Sequence, residues 1–308
     1  MQAVANGSEE LPNVNALLVG AIDLHHHGYP EISFDVRTRT EDVEELRLSQ
    51  QAGMAAVVLK SHMWPTVGRA YLLNKMDLGI QVIPSITLNT ICGGFDPIAV
   101  ESAALQGAKV VFMPTWSAAN DIEQGGFSRL MKGYIKAVGG LSADRGLRVR
   151  GPGGHVLPEV KECLAVAAQY GMVVCTAHLS PDESIALATC AKDFGIQEVV
   201  FSHPDSRSVG ASREQIRDMA QLDALCEFCV LGSLPGFQRI SPQAIIEIVE
   251  EISPERAIIT TDYFMDWNPP GAEMLRMMMG SLLEFGMPFG HITKMVRTNP
   301  ERLLGWGR

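Results

Sequence analysis

What most restricts the fold of this chain is a rhythm that runs through nearly all of its 308 residues, with short apolar runs alternating with helix-forming segments. The first apolar run lies within residues 16–30, and others follow at 54–59, 80–87, 109–113, 172–177, 198–202, 225–231 and 257–261. Helical patterns fill the intervals at 40–52, 65–78, 97–107, 158–170, 181–194, 213–222 and 242–251. Strands this uniformly apolar suit a parallel sheet buried on both faces. Eight strand-to-helix units with short connections predict an α/β fold, a (β/α)8 TIM barrel. An open doubly wound sheet would carry G-x-G-x-x-G after its first strand, and that motif is missing here.

The rhythm breaks once, in a polar insertion over 117–146. Residues 147–150, the glycine-rich turn 151–154 and residues 155–157 then read as a small hairpin between strands four and five. Glycines there supply the positive-φ positions of a turn, which accounts for them better than a phosphate cradle does. Residues 1–14 read as a flexible N-terminal arm, and 15–308 as one barrel domain.

Composition narrows the partners. Lys and Arg number 25 against 35 Asp and Glu, a net charge of −10 with no basic block, which argues against nucleic acid. No apolar run is long enough to span a bilayer, and the polar, acidic first ten residues do not resemble a signal, so a cytoplasmic protein without membrane contact is expected. The six cysteines lie mostly in apolar runs, and Cys226 and Cys229, although spaced C-x-x-C, sit inside a strand-like segment; reduced core thiols are expected. The methionine stripe 274–279 suits core packing or the subunit interface of a homo-oligomer.

The polar residues that interrupt the apolar pattern fall where strands end, the rim on which barrels of this kind carry function. His25 and His27 end the first run, Lys60 and His62 the second, His178 the fifth, His203 the sixth and Asp262 the eighth. Residues two apart on a strand share a face, so Asp23, His25 and His27 are expected to point one way, and two imidazoles placed so can grip one metal ion. Asp23 would then orient a ligand from behind.

These residues resemble the amidohydrolase superfamily of metal-dependent TIM-barrel hydrolases, as an uncharacterised branch. The likeness is carried by Asp23-Leu-His25-His-His27, by His178 in Thr-Ala-His-Leu-Ser, by His203 in Phe-Ser-His-Pro-Asp, by Asp262 in Thr-Thr-Asp-Tyr, and by the closing Thr298-Asn-Pro-Glu-Arg-Leu-Leu-Gly305. It implies a divalent metal, zinc first and manganese as another choice, in one or two ions. His25, His27 and Asp262 would bind the more buried ion, and His178 and His203 a second; with one ion, His203 would orient the attacking water. Asp262 would be the general base. The implied reaction is attack of metal-bound hydroxide on the carbonyl of a small cyclic amide, imide or lactone.

One departure stands out: two-metal relatives carry a carboxylated lysine or a glutamate at the end of strand four, where this chain reads Phe112-Met-Pro-Thr-Trp116. Lys60 is the lysine that ends a barrel strand. It would serve as a carboxylated bridging ligand, as a cationic contact for substrate, or as a rim lysine paired to an acid. His62, Asp205 and Arg207 are candidate substrate contacts, Glu227 is either an interior group or a satisfied structural carboxylate, and Trp64, Trp116, Phe264 and Trp267 are candidate walls. Phosphoester hydrolysis, decarboxylation on a single metal and a catalytically silent metal-binding barrel are the competing functions.

Overall fold

The computed structural model describes residues 13–306; residues 1–12, most of the expected arm, and 307–308 lie outside the described residues. The last two arm residues are ordered into a helix. Asn13 accepts a hydrogen bond from the Asn15 N–H and starts α1 (Val14–Leu18). Gly20, at φ +78°, then turns the chain into β1 (Ile22–His27). The apolar run expected as one strand is therefore a helix and a strand, because only glycine adopts that turn without steric cost.

The rhythm read from the sequence is then realised element by element: α2 (Asp42–Gln51), β2 (Ala56–Lys60), α3 (Val67–Lys75), β3 (Gln81–Thr87), α4 (Pro97–Leu105) and β4 (Val110–Phe112). After the insertion come α5 (Ala119–Gln124), α6 (Phe127–Tyr134), α7 (Pro158–Gln169), β5 (Val173–Cys175), α8 (Pro181–Asp193) and β6 (Val199–Phe201). The chain continues through α9 (Arg213–Gln221), β7 (Leu225–Cys229), α10 (Pro242–Ile252) and β8 (Ala257–Thr260), and ends with α11 (Gly271–Glu284), α12 (Phe289–Thr293) and α13 (Asn299–Leu304). The helix starts carry their own signals. Ser180 and Ser212 form capping boxes with Glu183 and Gln215, and proline opens α4, α7, α8 and α10, where its missing N–H costs nothing. The expected start of α2 at Thr40 is displaced to Asp42, because the Thr40 hydroxyl is occupied by Glu45 and Tyr263.

The eight strands pair in parallel in the order β1 to β8. The chain just beyond β8 closes the ring: Asp262 N–H donates to the His25 carbonyl at 2.9 Å, and His27 N–H to the Tyr263 carbonyl at 3.1 Å. Register brings the strand ends to one rim, with His27 opposite Lys60, Phe112 opposite Cys175 and Cys229 opposite Thr260. Ile22, Val58, Val174, Phe228 and Ile258 are fully buried in the core that the strands share with the helices. Each such side chain stabilises the fold by about 1.5–3 kcal/mol. On α11, Met274, Met278 and Met279 are buried in the core, whereas Met277 is half-exposed.

The insertion holds α5 and α6 and then the expected hairpin, reduced to a tight pair in which Arg150 lies antiparallel to Val156. Gly151 N–H donates to the His155 carbonyl, and Leu157 N–H to the Val149 carbonyl. All six cysteines are unpaired. No helix of the described residues is long and apolar enough to cross a membrane.

Candidate metal centre

His25, His27, Lys60, His62, His178 and His203 are all buried at the rim where the strands end. Their rings form one cluster: His25 lies 5.4 Å from His27 and 5.5 Å from His203 between ring centroids, and His203 lies 5.0 Å from His178. Asp262 completes it. Its Oδ1 sits 3.2 Å from His25 Nε2 and 3.3 Å from His27 Nε2. These three residues each bring a ligand atom to within 4.8 Å of the others. The backbone helps to aim them, since His203 at φ +27° and Asp262 at φ +50° leave their strands through left-handed turns that non-glycine residues seldom adopt.

Most of these imidazoles are held by the ring nitrogen that faces away from Asp262. His25 Nδ1 lies 3.2 Å from Glu227 Oε1, and His178 Nδ1 donates to Asp121 Oδ1 at 2.7 Å. His27 Nδ1 is 3.4 Å from Glu31 Oε1, the same oxygen that accepts from His62 Nδ1 at 2.9 Å. His203 Nδ1 is 3.1 Å from the Ser206 hydroxyl. A carboxylate on Nδ1 fixes the tautomer that leaves Nε2 as a free lone pair, the arrangement that supports metal-ligating histidines. Glu31 and Asp121 were not among the sequence candidates. Glu31 lies in an irregular loop and Asp121 in the insertion, so no strand-end periodicity marks either.

The electrostatics couple these groups to one another. Burial and Lys60 oppose a proton on His25, yet Asp262 and Glu227 outweigh them and raise it to about 9. Burial works against ionisation of Asp262 too, but His25 and His27 hold it well below the usual carboxylate range. His203 and His178 are both lowered, burial being the largest cause in each, which leaves them as the neutral imidazoles that metals bind. The approaches of His27 Nδ1 to Glu31 at 3.4 Å and of its Nε2 to Asp262 at 3.3 Å lack hydrogen-bond geometry, and Glu31 Oε2 and Glu227 Oε2 are likewise buried without a hydrogen-bond partner. Buried polar atoms rarely stay unsatisfied, so this donor set fits a divalent cation.

Lys60 reaches into the same space. It is fully buried, its Nζ lies 2.8 Å from His25 Nε2, and it sits 4.6 Å above the ring of Phe112 at the end of β4. Burial lowers its pKa, although Asp262 and Glu227 oppose the shift.

Two expectations are corrected. The pairing of β1 with β2 slips between Asp23 and His26, so simple alternation fails there. Asp23 consequently does not steady an imidazole of the H-x-H pair: it accepts from the backbone N–H groups of His25 and Thr261, and it meets the ring of His26, which stacks on Tyr263. Glu227 takes the supporting place behind His25. Of the expected walls, Phe264 packs edge-on against His27 and His62, but Trp116 is buried in a separate small apolar cluster and Trp64 is 60% exposed beside another cleft.

A cleft of about 540 Å³ opens onto the cluster, reaching His62, His178, His203 and Asp262, and Asp205 and Arg207 lie on its walls. The ring of His62 is sandwiched between His27, at 4.3 Å, and Phe127 of α6, at 4.2 Å.

The barrel is similar to several solved structures. An amidohydrolase from Pseudomonas aeruginosa superposes with a TM-score of 0.66 at 13% identity, over 96% of this chain and 100% of that one. An organophosphorus hydrolase from Deinococcus radiodurans gives 0.57 at 15% identity over 94% of each chain, and the probable dipeptidase PvdM from Pseudomonas aeruginosa gives 0.57 at 11% identity over 95% and 96%. At such identities the likeness is one of fold, the (β/α)8 barrel expected from the sequence. No curated protein matches this chain. The model of a family of unknown function (DUF6282) matches residues 20–227, a span from the start of β1 into β7 that takes in all five of the clustered histidines and Lys60, and the chain belongs to that family.

Proposed function

We propose that this protein is a metal-dependent hydrolase of amidohydrolase type, acting on the carbonyl of a small cyclic amide, imide or lactone. The observation that carries the reading is the convergence of His25 Nε2, His27 Nε2 and Asp262 Oδ1, with an acid behind each of the two imidazoles. His25, His27 and Asp262 would hold one divalent ion, and His178 and His203 a second. Lys60, carboxylated on Nζ, would stand between them in place of the ligand that strand four lacks. Zinc is the first choice for such a nitrogen and oxygen set, with manganese as the alternative. The bound metal supplies Lewis acidity toward the carbonyl oxygen and lowers the pKa of a water toward neutrality.

The chain's own residues do the rest. Asp262 engages the imidazoles through Oδ1, leaving Oδ2 to take a proton from the attacking water and deliver it to the departing nitrogen or oxygen. With a single ion bound, His203, held through Nδ1 by Ser206, would instead orient that water. His62 is held in plane between two aromatic faces and offers a hydrogen bond to the substrate. Phe127 and Phe264 keep bulk water from the reacting end.

Phosphoester hydrolysis needs cations around the reacting centre, and there Lys60 stands without an arginine beside it, the arginines of the cleft being exposed. A silent metal-binding barrel would have no use for a carboxylate free to move protons. Six unpaired cysteines fit a reducing, cytoplasmic setting. The test is turnover by zinc- or manganese-loaded protein on a panel of lactones, cyclic amides and imides set beside phosphoesters. Turnover confined to phosphoesters, or no retained metal under any loading condition, overturns the reading.

A further inference from the structure

Arg129, Arg207 and Arg239 all line the cleft that leads to the histidine cluster. They come from separate parts of the chain: Arg129 from α6 in the insertion, Arg207 from the loop after β6, and Arg239 from the segment between β7 and α10. All are exposed, and among the described residues none makes a salt bridge or a side-chain hydrogen bond, whereas nine other arginines are tied to acids. The protein as a whole carries a charge of −10, so a mouth of unneutralised guanidinium groups runs against its overall field. Between mouth and reacting end the wall is apolar, with Phe127, Leu130, Phe237 and Met265, and it is interrupted by Asp205, whose two carboxylate oxygens are buried without a partner.

From this arrangement we infer that the substrate is a small amphipathic anion: a carboxylate or phosphate held by the three arginines, an apolar body along the wall, and an N–H or O–H donor facing Asp205. The inference rests on the proposed hydrolase reading only for which end of the molecule reacts. Guanidinium forks match carboxylate and phosphate oxygens in pairs, and a mouth of one sign concentrates oppositely charged ligands and speeds their entry.

The test is calorimetric titration of the purified protein with probes that cannot be hydrolysed at a carbonyl centre of the kind proposed: 4-phenylbutyrate, the neutral 4-phenylbutanol, and 3-phenylpropylphosphonate. The anions should bind about tenfold or more tightly than the alcohol, with a preference that shrinks as salt rises. In Arg129→Gln/Arg207→Gln/Arg239→Gln, whose exposed positions leave the core untouched, the preference should fall to about twofold or less while the alcohol binds as before. Tighter binding of the phosphonate identifies phosphate as the natural group, and tighter binding of the carboxylate identifies carboxylate. Equal affinity for anion and alcohol in the wild type overturns the inference. So does a preference that survives in the triple variant, because the anion would then be held at the metal end. None of these outcomes depends on turnover, so a failed hydrolase assay and a failed inference are separable.

Discussion

Asp121 holds His178 across a gap of 57 residues, with Oδ1 2.7 Å from the histidine Nδ1, and it does so from an insertion that belongs to none of the eight strand-to-helix units. The same carboxylate accepts the N–H groups of Phe127 and Ser128, so one side chain fixes both an imidazole of the cluster and the start of α6, which delivers Phe127 and Arg129 to the cleft.

Asp121→Asn should therefore weaken metal binding by about 10–100-fold, the usual consequence of losing a carboxylate behind a ligating histidine. Competition with a chromogenic chelator measures it. Unchanged affinity together with a drop in stability would make Asp121 a helix cap alone.

Metal content distinguishes the uses of Lys60. About two ions per chain are expected in the wild type, falling to about one or fewer in Lys60→Ala with the fold retained by circular dichroism. One ion in both proteins would instead assign Lys60 to the substrate and bring single-metal chemistry, decarboxylation included, to the front.

Asp262→Asn keeps an oxygen beside His25 and His27 but removes the proton acceptor. Its kcat on any substrate found should fall by about 10²–10⁴-fold, with KM changed far less. Equal losses in metal occupancy and in rate would reduce Asp262 to a ligand.

Burial, aided by Glu227 and Asp262, raises the Asp205 carboxyl from its ordinary 3.8 to about 7. Folding then takes up a proton at this site between those two values. Stability of the metal-free protein should accordingly be highest at the acid side of that window, decline as pH rises through it, and level off above it. Asp205→Asn should flatten this contribution and, at pH about 8, leave the variant more stable by about 1–3 kcal/mol. Urea unfolding of chelator-treated protein on either side of the window reads the difference, and an unaltered slope would refute it.

The barrel was legible because each unit carries its own local instructions. Apolar runs bounded by Ser180, Ser212, Pro158 or Pro242 state where strands stop and helices begin, and the parallel order follows from repetition. The strand-end residues were legible for a related reason. A histidine, lysine or aspartate that interrupts an apolar period is conspicuous, and the topology sends every such interruption to one rim.

Groups behind those residues were not legible. Glu31, Asp121 and Arg239 reach the cluster or its cleft from irregular or inserted segments, and no periodicity ties such an acid to an imidazole 31 or 57 residues away in the chain. The face of Asp23 was misread because period-two alternation assumes an unbroken pairing, and β1 slips against β2 at that point. Sequence alone, through local periodicity and capping chemistry, determined the barrel and the side chains carried to its rim. Which nitrogen of each histidine faces inward, how Lys60 comes to lie over Phe112, and how three unpaired arginines gather at one mouth were decided by tertiary structure. Those relations depend on distances between segments remote in the chain, which only closure of the barrel sets.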